Sequence, residues 1–150
     1  MMDIQMRPAG AEDLPAIVAM LADDELGATR ESPDDLAPYQ AAFGRLRKDP
    51  NQFVMVAVRD DRVIGTLQLT VIPGLSRRGS TRSVIEGVRV HNSARGEGIG
   101  EQMIRWAVEE SARQGCQLVQ LTSDKARPDA HRFYERLGFT GSHVGFKLQL

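Results

Sequence analysis

The sequence predicts an α/β (α+β) fold with a mixed, mostly antiparallel central sheet flanked by helices. Three β-rich runs follow one another at Gln52–Val58, Val63–Ile72 and Thr81–Val90, joined by short connections as in an antiparallel meander. The third run leads through a glycine-rich turn into an amphipathic helix at 98–113, and a short apolar strand follows at Leu118–Thr122. A strand–helix–strand crossover of this kind places its two strands parallel.

Elements nearer the two ends complete this prediction. The order strand, helix, helix precedes the meander, and a helix with a final hairpin follows the crossover. These elements are a strand at Ile4–Arg7, an amphipathic helix with Leu14, Ile17, Val18 and Leu21 on one face, a short helix within residues 23–49, a helix between Pro128 and Gly138, and a hairpin end at Thr140–Leu150. We expect residues 1–150 to form a single domain.

Composition limits the classes of function. The chain has 150 residues and a formal net charge of −1, which gives no argument for nucleic acid or an anionic membrane as partner. No apolar run is long enough to span a bilayer, and Met1–Arg7 lacks the pattern of a secretory signal. The single cysteine, Cys116, excludes an internal disulfide, and the scattered histidines predict no metal site. We therefore expect a cytoplasmic protein.

The glycine turn between the third strand and the helix suits a phosphate group. Free N–H groups at a helix start, with the positive end of the helix dipole behind them, bind anions, and glycine lets the backbone approach closely. A P-loop is excluded because no lysine follows the glycines, and the dinucleotide pattern G-x-G-x-x-G fails whether it starts at Gly96 or Gly98. The pattern R-x-x-G-x-G does fit, with Arg95, Gly98 and Gly100.

That pattern resembles the acetyl-CoA loop of the GNAT family of N-acetyltransferases. A second stretch, F-Y-E-R-L-G-F at Phe133–Phe139, is similar to the last helix characteristic of the same family and follows the glycine turn at the family's spacing. The opening M-R-P-A-x-x-x-D-L-P-A-I also resembles the family's first strand and helix. The resemblance covers nearly the whole chain. It implies the family's fold, in which the crossover contains the acetyl-CoA loop.

The resemblance implies transfer of an acetyl group from acetyl-CoA to a primary amine of a small molecule or peptide, by direct attack in a ternary complex. The backbone of residues 88–90 is then expected to meet the pantetheine arm like an extra strand, and the amides of residues 96–100 to hold the pyrophosphate. Where many members carry an asparagine, this chain has Arg127, which could reach a phosphate instead. The implied cofactor-binding set is Val88, Arg89, Val90, Arg95, Gly96, Glu97, Gly98, Ile99, Gly100 and Arg127.

Two residues are candidates for acid–base catalysis. Tyr134 matches the family's general acid. A phenol with a pKa of about 10 keeps its proton at neutral pH and can donate it to a departing thiolate. The alternative is a tyrosine that packs on its helix and whose hydroxyl makes a local hydrogen bond. Glu86 lies among apolar residues of the third strand, where burial of a carboxylate requires a reason. It is either a general base acting through water or the partner of an arginine.

The sequence alone leaves two questions open: the role of the acidic segment 23–35 and the class of protein. The segment is either a solvated face or a loop that favours cationic amines. A catalytically silent acyl-CoA-binding or regulatory module would keep the glycine turn without needing Tyr134 or Glu86, and a dinucleotide-binding oxidoreductase is a more distant rival. The sequence also leaves room for a homodimer.

Overall fold

A computed structural model describes residues 3–150 of the chain, so Met1 and Met2, the start of the segment assessed for a signal, lie outside the described residues. Its sheet has the strand order β1-β2-β3-β4-β5. The strands are β1 (Gln5–Pro8), β2 (Gln52–Arg59), β3 (Arg62–Pro73), β4 (Thr81–Val90) and β5 (Leu118–Leu121). Neighbours up to β4 pair antiparallel, and β4 pairs parallel with β5. The predicted fold class, meander and parallel crossover are confirmed.

The helices also follow the predicted order. They are α1 (Leu14–Ala22), α2 (Gly27–Arg30), α3 (Ala37–Leu46), α4 (Ser76–Gly79), α5 (Ile99–Arg113) and α6 (Pro128–Arg136), with a 3-10 turn at Ala11–Asp13. The short elements α2 and α4 are single turns that the sequence did not predict. No helix among residues 3–150 combines the length and apolar character needed to cross a membrane.

The hairpin between β2 and β3 is set by two aspartates. Asp60 and Asp61 have φ angles of 51° and 59°, a left-handed pair that matches the twist of the flanking strands. Aspartate tolerates this region better than most non-glycine residues do. The Asp-Asp pair thus fixes the register in which β2 and β3 build the middle of the sheet.

The core is formed where α1 and α5 pack against β3 and β4. Met55, Val56 and Ala57 are consecutive in β2 and all buried, so both faces of the sheet are covered at this point. Helix α5 buries Ile99, Met103, Ile104 and Ala107, the spacing of one helical face. Burial of a side chain of this size contributes about 1.5–3 kcal/mol, which ties the start of α5 firmly to the sheet.

A buried pair of hydroxyls identifies the face of β4 that α5 covers. Ser83 and Ser111 are both buried, and their Oγ atoms lie 2.7 Å apart. The Ser111 hydroxyl also donates to the Ala107 carbonyl oxygen at 2.7 Å. Because Ser83 belongs to β4 and Ser111 to α5, the side chains that share a face with Ser83 point toward α5.

The hairpin end predicted at Thr140–Leu150 is wrong. The structure shows no strand there, and the segment's residues are exposed. The prediction relied on the alternation of apolar and polar residues, but alternation gives a strand only where a neighbouring strand accepts its backbone hydrogen bonds. In the described chain this segment lies against no such neighbour.

A part-buried ion pair holds the start of the chain. The Asp13 carboxylate is 5% exposed and accepts hydrogen bonds from Arg7 Nη1 at 2.7 Å and Nη2 at 3.0 Å, and from the Gly10 amide at 2.8 Å. The bond from Arg7 lowers the pKa of Asp13; burial opposes this, and the bond from Gly10 adds to it. The pair fixes the chain between β1 and α1.

We expect Asp13→Asn to lower the free energy of unfolding by about 1–3 kcal/mol at pH 7, because Arg7 and the Gly10 amide lose a charged acceptor. Since the folded-state pKa of Asp13 is depressed, this stabilisation is present above its unfolded pKa and is lost as pH falls through the folded value. Urea unfolding at pH 7 and pH 3 measures both effects. The exposed neighbour Glu12→Gln is the control; an equal effect of both variants would contradict the assignment.

Candidate active site

Strand β4 loses its β5 neighbour halfway along its length. The ladder between them runs from Arg82–Leu118 to Ile85–Leu121, whereas β4 continues to Val90. The register with β3 also shifts here, and Gly87 has a left-handed φ of 61°. Backbone groups of the second half of β4 therefore face an opening rather than a strand.

A cavity of about 450 Å³ lies at this opening. It is bounded by the second half of β4, the loop before α2 and the loop before α6. Its lining residues are Asp23, Asp24, Glu25, Leu26, Val88, Arg89, Val90, Arg95, Ala126 and Arg127. Five of the predicted cofactor residues (Val88, Arg89, Val90, Arg95 and Arg127) therefore line one cavity.

The glycine turn has open, left-handed backbone at the start of α5. Gly96 and Gly98 both have φ of 79°, and a Cβ on either would meet nothing within 4 Å. Gly98 is the residue that caps the 15-residue helix α5. Within residues 3–150, no protein acceptor receives a hydrogen bond from the amides of residues 96–98, and those of residues 99 and 100 are free as in any first helical turn. These amides are available to an anion.

The remaining residues of the turn are held by different contacts. Ile99 is 1% exposed and packs in the core, so it offers a ligand only its backbone. Glu97 Oε1 lies 3.1 Å from Arg59 Nη1, which neutralises its charge at the anion site. A Cβ on Gly100 would lie 3.5 Å from Phe133 Cζ, so α5 and α6 approach closely at this glycine.

Arg95 is paired with Asp23, a carboxylate that was not among the predicted site residues. Its Nη2 lies 3.2 Å from Asp23 Oδ2, and its Nε donates to the Val90 carbonyl oxygen at 3.3 Å. Both side chains of the pair are about half exposed, so the pair contributes at most about 1 kcal/mol and can exchange for another partner.

Asp24 brings two arginines together. Arg127 Nη2 donates to its Oδ2 at 2.7 Å, and Arg89 Nε lies 3.3 Å from the same oxygen without hydrogen-bond alignment. Burial alone would raise the pKa of Asp24, but the hydrogen bonds from Gly27 N–H and Arg127 and the charge of Arg89 outweigh it and lower this pKa. Two guanidinium groups thus share one carboxylate, which leaves the cluster with a net positive charge.

Tyr134 lies within electrostatic reach of this cluster. Burial raises the pKa of its phenol, an effect that Arg89 and Arg127 partly offset. Its ring makes edge contacts with Phe133 and Phe139, at centroid distances of 5.1 Å and 6.0 Å. In residues 3–150 its hydroxyl has no protein hydrogen-bond partner, so the local hydrogen bond considered as the alternative is not observed. The phenol stays protonated at neutral pH.

Glu86 is exposed, so no burial penalty applies to it, and the expectation that it is buried among apolar residues is wrong. It lies directly before Gly87, opposite Gln68 of β3, and makes no ion pair within the described residues. The arginine partner considered as the alternative is therefore not found. Its position at the distorted part of β4 leaves its carboxylate accessible to water.

The acidic segment is more heavily paired than its sequence indicates. Asp23 and Asp24 pair with arginines 72 and 103 positions away in the chain, which no local pattern could reveal. Glu31 accepts a hydrogen bond from the Tyr39 hydroxyl at 2.8 Å. Within residues 3–150, Asp23 and Asp24 of this segment are thus neutralised by arginines, whereas Glu25 and Asp34 form no ion pair or side-chain hydrogen bond.

The open half of β4 and the free amides at the start of α5 suit an extended, phosphate-bearing ligand. The profile of the Acetyltransferase (GNAT) family matches residues 15–139. The chain belongs to the GNAT family and is an N-acetyltransferase. A dinucleotide-binding oxidoreductase is excluded, because the sheet is mostly antiparallel where that class requires a parallel one.

Proteins similar to this chain carry more than one description. The chain is 31% identical to an aminoalkylphosphonate N-acetyltransferase of Salmonella typhimurium, over 95% of this chain and 88% of that protein. It is 37% identical to a glucosamine 6-phosphate N-acetyltransferase of Trypanosoma brucei brucei, over 59% and 58%. A crystal structure described as a transcriptional regulator from Bacillus halodurans superposes with a TM-score of 0.93 at 47% identity, covering 98% of this chain and 99% of that one.

Proposed function

We propose that the protein transfers an acetyl group from acetyl-CoA directly to a primary amine of a small molecule. The observation that carries the proposal is the half of β4 from Glu86 to Val90, which has no β5 neighbour and whose last three residues line the cavity. An extended pantetheine arm can hydrogen-bond to such an edge as an added strand does.

The residues present fit acetyl-CoA. The free amides and left-handed glycines of residues 96–98 form a cradle that a side chain would fill, as a pyrophosphate requires. Arg95 is exposed enough to exchange Asp23 for a phosphate oxygen. The second half of β4 then leads from this cradle toward Tyr134, so the thioester end of the cofactor would lie near the phenol.

The reaction forms one bond, breaks one bond and moves three protons. The amine nitrogen forms a bond to the carbonyl carbon, and the carbon–sulfur bond breaks. Tyr134 is assigned to donate its phenolic proton to the departing sulfur, which the raised pKa of this group favours because the proton is retained until it is needed. Glu86 is assigned to accept, through a water molecule, one proton of the acceptor's ammonium group, which frees the amine to attack. The nitrogen loses its second proton as the amide forms, and this proton restores the Tyr134 phenol.

A covalent acetyl-enzyme is a poor alternative. Cys116 lies outside the cavity lining, and burial raises the pKa of its thiol, although a hydrogen bond with Ser83 partly offsets this. A thiol held protonated is a weak nucleophile. Direct transfer in a ternary complex is therefore assigned, in the reducing cytoplasm with which a lone cysteine is compatible.

The acceptor is assigned a tetrahedral anionic group beside its amine. Arg89 and Arg127 share only Asp24, and a phosphonate or phosphate can take paired hydrogen bonds from such guanidinium groups. The relatives acetylate an aminoalkylphosphonate and glucosamine 6-phosphate, both of which carry such a group. This assignment is made in place of the preference for cationic amines considered from the acidic segment, because Asp23 and Asp24 of that segment are paired with arginines. Under this assignment Arg127 contacts the acceptor, whereas the sequence suggested a contact with the cofactor.

Gly98→Glu should weaken acetyl-CoA binding more than Gly98→Gln does. Both variants strain the left-handed position equally, but only glutamate places a negative charge at the phosphate cradle. We expect the charged variant to bind about tenfold more weakly than the neutral one. Titration calorimetry measures the affinities, and circular dichroism checks that both variants are folded. Equal affinities would remove the pyrophosphate from this turn.

Tyr134→Phe should leave acetyl-CoA affinity unchanged and lower kcat by about 100-fold or more, because only the proton donor is lost. The wild type should show no loss of kcat from this group below about pH 10, because burial raises the pKa of the phenol and the protonated form is the active one. Thiol release from acetyl-CoA measures the rate. Tyr39→Phe, which removes a hydroxyl outside the cavity, is the control. Full turnover by Tyr134→Phe would reduce the residue to a packing role.

The acceptor assignment is tested with 2-aminoethylphosphonate, ethanolamine and ethylenediamine, which differ in the charge beside the amine. We expect the phosphonate to give the highest kcat/KM and Arg127→Met to lower that value by about 10–100-fold, with little change for ethanolamine. Arg30→Met, an exposed arginine outside the cavity lining, is the matched control.

Two outcomes would contradict this assignment. If ethylenediamine is the best acceptor and Arg127→Met leaves the ranking unchanged, the site prefers cations. If Arg127→Met weakens acetyl-CoA binding and lowers kcat/KM for all three acceptors equally, Arg127 contacts the cofactor rather than the acceptor.

A further inference from the structure

The carboxylate of Asp24 is fixed to the main chain by one of its two oxygens. Its Oδ1 accepts a hydrogen bond from the Gly27 amide at 2.5 Å, and the Asp24 carbonyl oxygen accepts one from the Ala28 amide at 2.8 Å. Gly27 is buried, and a Cβ at this position would overlap the Leu21 carbonyl oxygen, so the turn packs directly on the end of α1. This close fit of the main chain sets the position of Asp24.

The other oxygen of Asp24 faces two arginines from distant parts of the fold. Arg127, directly before α6, and Arg89, in β4, approach it at 2.7 Å and 3.3 Å. Arg89 Nη1 also donates to the Val88 carbonyl oxygen at 2.9 Å. In the part of the chain that the structure describes, no other carboxylate pairs with either arginine. A guanidinium group has more N–H donors than these contacts use, and both arginines line the cavity.

The two guanidinium groups need a shared counter-ion to stay together. Each lies close to the same oxygen, and like charges at so short a separation repel each other. Arginine side chains also have many rotamers, which a fixed partner restricts. Asp24 thus arranges the two groups before any ligand is present, and donors arranged in advance lower the entropic cost of binding.

Loss of the Asp24 charge would act on a bound anion in two opposite directions. It would remove a repulsion between the anion and the carboxylate, and it would release the two arginines. An anion held by the remaining donors lies across the guanidinium groups from Asp24, and all three side chains are 19–33% exposed, so water screens this repulsion. The arginines contact the anion directly. The release of the arginines therefore outweighs the lost repulsion.

We propose that Asp24 is a positioning residue that holds Arg89 and Arg127 together as one anion site. The role of this site in acetyl transfer rests on the proposed function, in which the acceptor carries a phosphonate or phosphate beside its amine. Asp24 itself touches no reacting atom. It sets the preference among acceptors through the two arginines, so its removal should affect anionic acceptors alone.

Asp24→Asn tests this role, because asparagine keeps an oxygen for the Gly27 amide and removes the charge. We expect KM for 2-aminoethylphosphonate to rise about tenfold, with kcat, acetyl-CoA affinity and kcat/KM for ethanolamine each unchanged within about twofold. Asp34→Asn is the matched control, since it removes the same charge from the same acidic segment at an exposed position outside the cavity lining.

Three results of this experiment would overturn the proposal. A lower KM for the phosphonate would show that Asp24 competes with the acceptor for the arginines. An unchanged KM would show that the arginines need no such partner. Equal losses for both acceptors, or weaker acetyl-CoA binding, would show that Asp24 only supports the fold of its turn.

A double-mutant cycle tests whether Asp24 acts through Arg127. In the Arg127→Met background, Asp24→Asn should raise KM for 2-aminoethylphosphonate by at most about threefold, because one of its two targets is already absent. A further tenfold rise in this background would mean that the two residues act independently, and it would overturn the assignment of Asp24 as a residue that positions Arg127.

NMR spectroscopy tests the positioning without any acceptor. A guanidinium held by a carboxylate rotates slowly about its Nε–Cζ bond, so its two Nη atoms give separate ¹⁵N signals. The Arg127 signals, assigned by their loss in Arg127→Met, should be separate in the wild type and in Asp34→Asn and averaged in Asp24→Asn. Averaged signals in the wild type, or separate ones in Asp24→Asn, would overturn the proposal. If the signals behave as expected but ethylenediamine is the best acceptor, the positioning stands and the acceptor assignment fails.

Discussion

The separation of β4 from β5 is the constraint on which the site depends. Up to Ile85 the two strands share a ladder, and beyond it β4 continues alone. A strand edge in the interior of a sheet is normally paired, because unpaired backbone groups lose free energy when they are shielded from water. Here the edge stays open to a cavity, and the distortion at Gly87 turns the following residues toward it. In the proposed reaction, this edge connects the glycine turn with the phenol of Tyr134.

Much of this arrangement could be predicted from local patterns. The order and type of the strands from Gln52 to Leu121 follow from apolar alternation and from turn residues, which act within a few positions of one another. The glycine turn could also be predicted from local sequence. A strand followed by glycines and then by a helix leaves the amides at the helix start free, whatever the rest of the fold. Site residues next to these elements, such as Val88 and Arg95, were accordingly brought together by the fold as expected.

Long-range pairing could not be predicted. Asp24 contacts Arg127, more than a hundred positions away, and no periodicity in either segment indicates the partner. Glu86 is exposed because the buried Ile85 beside it lies on the opposite face of β4 and Val88 lies beyond the bulge, which a run of apolar residues in the sequence does not indicate. Residues 143–150 illustrate the same limit. Their alternating pattern indicates a strand, but it does not indicate the strand edge with which they would pair.

Gly100 has a consequence for how the two halves of the site stay in register. A Cβ at this position would lie 3.5 Å from Phe133 Cζ, an ordinary van der Waals distance, and Tyr134 is the next residue along. A side chain of one carbon would therefore just fill the space between the first turn of α5 and α6. A longer side chain at position 100 would push the two helices apart and act as a spacer between the glycine turn and the phenol. This glycine thus sets how near the two can lie.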